Sequence, residues 1–284
     1  MRARKKLGQN FLTDANVANK LVRLLAPQKD EVVLEIGAGL GAVTLPLAAT
    51  GAKVFAVEVD SGLCAYLARF LRDARFPGDS SRAGLSGGPR RVELLHADVL
   101  ELSLPELLRK AKVDQVQVLG NLPYSITTQI LLFLMENRKH VGRALITVQR
   151  EYAERLVAKP GSRLYGSISV MTQFHWTVRK VGGISPKSFF PRPEVSSSVL
   201  EVRPRAKPTP AVRNEETFEK VVRGAFAQRR KTLLNSLAAS LGLDKQAASR
   251  ILREAGVTEA RRAESLTLED FARIADVFYG IREV

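Results

Sequence analysis

From residue 31 onward, short runs rich in Val, Ile and Leu alternate with stretches of helical periodicity, and this alternation restricts the possible folds more than any other feature. Apolar runs of this kind suit strands buried on both faces, as in a parallel sheet, because a half-exposed strand would alternate polar and apolar residues. Strands are predicted at 32–36, 53–59, 91–95, 116–119 and 144–148, with helices over 41–49 and 127–137. Gly51 stands where the first of these helices would stop. Repeated strand–helix–strand units imply right-handed crossovers and a doubly wound α/β sheet. Two further strands are predicted around 174–181 and 197–202, joined by a long loop. A hairpin-like return of this sort would place an antiparallel strand in the sheet.

Two segments break the rhythm. Residues 75–89 are rich in Gly, Ser and Pro without a period, which reads as a mobile surface insertion. Residues 203–210 hold three prolines and read as a linker. After it only helical patterns follow, at 215–226, 230–241, 245–255 and 268–280, with Asn214 and Thr267 as N-cap candidates. Near the other end, Thr13-Asp14 suits the cap of a helix starting near Ala15. The expected division is a sheet domain over 1–203 and a helical domain over 211–284.

Across 284 residues, 44 Lys and Arg against 29 Asp and Glu leave a net charge of +15, while 45% hydrophobic residues provide ample material for a core. Such an excess favours polyanionic partners, because Lys and Arg displace counterions from phosphate backbones. A merely solubilising surface is the alternative. No run of about 18 apolar residues exists to span a membrane. The basic Met1–Lys6 segment is followed by Gln9, Asn10, Thr13 and Asp14 rather than an apolar stretch, so a cytoplasmic location is expected. One cysteine, Cys64, and three scattered histidines offer neither a disulfide nor metal-ligand spacing.

Chemistry concentrates at predicted strand ends. The first strand runs into Glu35-Ile36-Gly37-Ala38-Gly39-Leu40-Gly41, and the second ends in Val57-Glu58-Val59-Asp60. Glycines allow a sharp turn and close approach to a ligand, and an acid such as Glu58 accepts hydrogen bonds from ribose hydroxyls. The pattern is Gly-x-Gly-x-Gly, shared by dinucleotide and S-adenosylmethionine sites, so the loop by itself does not choose between them. His96-Ala97-Asp98-Val99 follows the third strand, where Asp98 suits an adenine amine or the cap of a following helix. After the fourth strand comes Gly120-Asn121-Leu122-Pro123-Tyr124. The Asn121 oxygen and a backbone carbonyl can accept from the exocyclic amine of a base, and Tyr124 can stack on its ring. Between the last two strands, Ser188-Phe189-Phe190-Pro191-Arg192-Pro193 brings an aromatic pair, of which Phe189 suits the second face of the base.

These motifs, with Leu7-Gly8-Gln9-Asn10-Phe11-Leu12 near the start, Phe189 to Ser197, and Gln228-Arg229-Arg230-Lys231-Thr232-Leu233 in the tail, resemble the KsgA/RsmA family of small-subunit ribosomal RNA adenine dimethyltransferases. They occur in order over nearly the whole chain. The chain is also similar to the Erm methyltransferases of large-subunit rRNA, but its first and last motifs favour the KsgA side. Two departures stand out: Ser125, where family members often have Asn, and the long 76–89 insertion.

The resemblance implies a class I, Rossmann-like S-adenosylmethionine-dependent fold with a small C-terminal helical domain. It implies dimethylation of N6 on two adjacent adenosines near the 3′ end of 16S rRNA, with a role in small-subunit biogenesis. By position, Asn10, Leu12, Gly37, Gly39, Glu58, Val59, Asp98, Val99 and Asn121 would hold the cofactor, and Asn121, Leu122, Pro123, Tyr124 and Phe189 would serve the target base. Lys5, Lys6, Arg229, Arg230 and Lys231 would meet rRNA phosphates. The small ribosomal subunit is the expected partner, the chain acting as a monomer without a metal. An assembly factor without catalysis and a methyltransferase of small molecules or proteins are the competing readings.

Overall fold

The structure is a computed structural model that describes residues 9–73, 91–228 and 230–282. The insertion at 76–89 and the candidates Lys5, Lys6 and Arg229 lie outside the described residues.

Among the described residues, nine strands form two sheets: β1 (Phe11–Leu12), β2 (Val32–Ile36), β3 (Lys53–Glu58), β4 (Val92–His96), β5 (Val116–Asn121), β6 (Val141–Gln149), β7 (Trp176–Ile184), β8 (Phe189–Phe190) and β9 (Ser197–Pro204). Seven make one sheet in the order β4-β3-β2-β5-β6-β9-β7. Strands β2 to β6 pair in parallel, while β9 runs antiparallel to β6, with Ala144 opposite Val202 and Gln149 opposite Ser197. All five residues of β2 are buried, as its near-unbroken apolar sequence requires. The two short strands pair separately and antiparallel, with Leu12 opposite Phe189 and Phe11 opposite Phe190.

A core cluster of Leu12, Leu21, Leu25, Val33, Leu47, Val54, Leu119, Leu145, Phe189 and Val199 ties β1 and β8 to the sheet and to the helices Ala15–Leu25 and Thr44–Ala49. Asp14 caps the first of these by accepting from the Asn16 and Val17 N–H groups. The second begins three residues later than its periodicity suggests, because Gly37, Gly39 and Gly41 all take positive φ and a right-handed helix cannot include them.

By internal contacts the chain divides into Met1–Ala153 with Arg179–Pro204, and Glu154–Val178 with Arg205–Val284. The second unit therefore includes a segment before the linker, unlike the single cut expected near 203. The reason is aromatic packing. Phe174 stacks on Phe218 with centroids 4.0 Å apart, and Tyr165 meets Phe226 edge-on at 6.0 Å, so both side chains belong to the helical core. Residues 174–175, expected in a strand, instead finish the helix Ser167–His175, and β7 starts at Trp176. In the tail, Glu215–Phe226 matches its prediction and Asn214 caps it through the Thr217 N–H. Thr267 also serves as a cap, accepting from the Asp270 N–H at 3.2 Å. The expected helix from 230 starts at Leu233, leaving Arg230 and Lys231 exposed in the preceding turn.

Candidate active site

An open cleft lies at the carboxyl ends of β2, β3, β4 and β5, the ligand-binding edge of such sheets. Its walls include Asn10, Leu12, Gly37, Gly39, Glu58, Val59, Asp98, Val99, Asn121, Leu122, Pro123 and Tyr124. Residues separated by more than a hundred positions meet there because parallel strands all end on one edge.

The glycine turn is held by the neighbouring strand: the Gly37 and Ala38 N–H groups both donate to the Val57 carbonyl, at 2.9 and 3.0 Å. Gly37 has φ +77°, a conformation costly to any residue with a Cβ. Glu58 is buried, with one oxygen accepting from the Gly39 N–H and the other from the Asp60 N–H, both at 2.9 Å. Asp98 caps the turn Val99–Glu101 through the Leu100 N–H at 2.9 Å while also lining the cleft. A carboxylate has two oxygens, so capping through Oδ1 leaves the other oxygen of Asp98 for the cleft.

The Asn121 side chain donates through Nδ2 to the Asn10 carbonyl at 3.1 Å. A carbonyl cannot donate, so this contact assigns the amide orientation and leaves Oδ1 as an acceptor for the cleft. The Leu122 N–H donates to the Thr147 carbonyl at 3.1 Å. The Pro123 carbonyl accepts from the Ile126 N–H and from Thr127 Oγ1, which closes the turn on itself. Tyr124 shares a hydrogen bond of 2.6 Å with Ser197 Oγ, which anchors its ring to β9. Burial raises its phenol pKa despite that bond, so Tyr124 stays a neutral ring.

Of the two aromatic residues of β8, Phe189 is the buried one. It is only 4% exposed, sits in the core cluster and does not line the cleft, whereas Phe190 is 64% exposed. Strand alternation explains the split: adjacent residues of β8 point to opposite faces, and Phe189 is the one turned inward beside Leu12.

Glu35, at the head of the glycine motif, has no role in that motif's chemistry, although an acid inside a fully buried strand is itself a signal. It lines the cleft at 2% exposure, its Oε2 has no well-formed hydrogen bond among the described residues, and burial lifts its pKa to about 8 against a smaller opposing effect of Thr44. Folding therefore retains a proton that the unfolded chain loses above about 4.5, and stability falls as pH rises from there to about 8. Glu35→Gln is expected to stabilise the protein by up to about 3 kcal/mol near neutral pH, with the gain vanishing in acid. Thermal melting of both proteins across that range measures it; a gain independent of pH would contradict the assignment. Nearby Cys64 is chemically quiet, its thiol donating to the Glu58 carbonyl and pushed up to about 11 by burial and by Glu58 and Asp60.

The family model described as ribosomal RNA adenine dimethylase matches residues 1–279. The chain belongs to that family. Curated relatives include the ribosomal RNA small subunit methyltransferases A of Desulforapulum autotrophicum, 40% identical over 98% of this chain and 93% of the relative. That of Geobacter metallireducens is 39% identical over 97% and 95%. Among solved structures, a dimethyladenosine transferase from Plasmodium falciparum has TM-score 0.72 at 22% identity, covering 93% of this chain and 95% of that one. The 23S rRNA methyltransferase ErmE has TM-score 0.68 at 24% identity, covering 94% and 99%. These structures share the dimethylase's Rossmann-like fold.

The cleft fits the S-adenosylmethionine used by this family. Glu58 and Asp98 offer carboxylates to hydroxyl and amine donors, and Ile36, Val59 and Val99 offer apolar surface to a purine.

Proposed function

We propose that the chain is an S-adenosylmethionine-dependent rRNA adenine N6,N6-dimethyltransferase that modifies two adjacent adenosines near the 3′ end of small-subunit rRNA. It would work in the cytoplasm as a monomer during small-subunit biogenesis. The observation that carries this reading is Asn121, clamped by the Asn10 carbonyl with its own oxygen left to the cleft.

The cofactor supplies an electrophilic methyl group on a sulfonium. The residues' task is the other reactant, because the N6 lone pair of adenine is delocalised into its ring. Asn121 Oδ1 and the Leu122 carbonyl accept the two N–H bonds of the amine, which turns the lone pair toward the methyl. Tyr124 supports the base by stacking, worth about 1–3 kcal/mol. No strong base is required, since a proton leaves after attack, and holding the reactants in line provides most of the rate. Pro123 contributes the turn.

The exposed Arg230 and Lys231 suit rRNA phosphates. Arg230→Gln with Lys231→Gln is expected to weaken rRNA binding and to flatten its salt dependence by about 1.4 to 1.8 in logarithmic slope. Unchanged affinity and slope would reduce the pair to a solvated surface.

Labelled S-adenosylmethionine and immature small subunits lacking the modification test the activity. Nucleoside mass spectrometry should find N6,N6-dimethyladenosine at neighbouring positions. Binding without incorporation would favour an assembly factor, and neither would point to another methyl acceptor.

A further inference from the structure

Away from the cleft, β9 presents Glu201, whose side chain is 7% exposed and grouped with three guanidinium groups. Arg203 reaches Oε1 through Nε at 3.1 Å and Nη2 at 2.8 Å, and Arg143 of β6 approaches the same oxygen at 3.4 Å. Arg179 of β7 takes Oε2 through Nε at 3.1 Å and also through Nη2. Arg143 is secured further by donating to the Leu24 carbonyl at 3.2 Å, near the end of the helix Ala15–Leu25. Burial pushes the Glu201 carboxyl up, but hydrogen bonds and charge from Arg179 and Arg203 outweigh this and leave it below its ordinary value. Glu201 is therefore ionised at neutral pH, and this group of four side chains keeps an excess of two positive charges.

We propose that Arg143, Arg179 and Arg203, fanned around Glu201, form a second phosphate-binding surface that grips the RNA backbone of the substrate away from the methyl-transfer cleft. Arg179 and Arg203 remain 66% and 51% exposed, so their remaining N–H donors face solvent. The exposed Lys20 adds positive charge near Gly182, three residues along β7 from Arg179, since a side chain at Gly182 would meet its ammonium at 3.9 Å. Guarding the edge strand β7 would require only charged side chains extending into water. It would not require three arginines gathered on one buried carboxylate. That clamp removes side-chain freedom in advance, so less entropy is lost when a phosphate docks, and the planar fork matches phosphate oxygens. An acidic protein would offer carboxylates to the same forks, but the net charge of +15 and the dimethylase family favour a polyphosphate backbone.

The surface is separate from the cleft. Ser197, bonded to Tyr124, precedes Glu201 by four residues on β9, which is roughly 13 Å along a strand. The patch would thus hold RNA beyond the target adenosines and contribute to affinity without touching the reacting atoms. The proposal rests on the rRNA substrate argued above.

The test is Arg179→Gln with Arg203→Gln, measured against immature small subunits for affinity over a range of salt and for methyl incorporation at saturating particles. Affinity is expected to drop roughly tenfold at low salt, and the logarithmic salt slope to fall by about 1.4 to 1.8. Turnover at saturation and affinity for S-adenosylmethionine should match the parent. Arg179→Lys with Arg203→Lys should keep the salt slope but lose part of the affinity, since charge stays and the fork goes. If the Gln variant binds cofactor poorly through misfolding, the Lys variant decides: parental affinity for particles overturns the proposal. Unchanged affinity and slope in a folded Gln variant also overturn it. A parent protein that neither binds nor methylates the particles overturns the rRNA reading itself, a different result from particles methylated equally well by parent and variant with identical affinity.

Discussion

Asn121→Ala is expected to leave S-adenosylmethionine affinity within a few-fold of the parent while cutting turnover by about 10²–10³, equivalent to about 3–4 kcal/mol of lost transition-state stabilisation. The cofactor's main polar candidates, Glu58 at the end of β3 and Asp98 after β4, keep their own hydrogen bonds without the amide. What alanine removes is the acceptor that orients the target amine. Asn121→Asp separates acceptance from positioning, because a carboxylate still accepts but cannot donate to the Asn10 carbonyl that holds the side chain. It should therefore also be slow, with its defect in kcat rather than in cofactor binding. Isothermal titration with the cofactor and single-turnover methyl transfer measure the two quantities separately. Parental turnover in Asn121→Ala would remove the residue from the chemistry.

Phe189→Ala should destabilise the protein by about 3–5 kcal/mol, the usual cost of emptying an aromatic site in a core. The same change at Phe190 should stay within about 0.5 kcal/mol, because that ring is exposed. Urea unfolding of both variants distinguishes this from a base-stacking role, which would lower activity and spare stability. Activity should also suffer in Phe189→Ala, by an indirect route. Phe189 pairs with Leu12, and β1 follows directly on Asn10, whose carbonyl holds Asn121. Loosening that pair loosens the clamp. Phe189→Leu, which keeps most of the apolar volume, should recover much of both properties.

The two effects show how the first residues of the described chain enter the site. Asn10 and Phe189 are far apart in sequence, and neither belongs to the glycine motif, yet the two-stranded β1–β8 pairing joins them to the cleft and the core. Glu35 has a similar lesson for electrostatics. Its position in an apolar run was plain, but its raised pKa depends on how completely β3, β5 and the helix Thr44–Ala49 exclude water from it.

Much of this protein is determined locally and was legible in the chain. The apolar runs from 32 to 148 define five parallel strands, since only a sheet covered on both faces tolerates such composition. The glycines at 37, 39 and 41 mark the turn, and Asp14, Asn214 and Thr267 mark helix starts, because capping and positive φ act within a few residues. The positions of Asn121, Glu58 and Asp98 at the ends of strands, which bring all three to the cleft, were legible in the chain. Contacts made across long sequence separations depended on the tertiary structure. These are the inward turn of Phe189, the grouping of residues 154–178 with the tail through Tyr165 and Phe174, the Asn10–Asn121 clamp, and the gathering of Arg143, Arg179 and Arg203 on Glu201. The physical reason is that periodicity records which residues seek burial or water, whereas the partner each one meets is set by strand order and register.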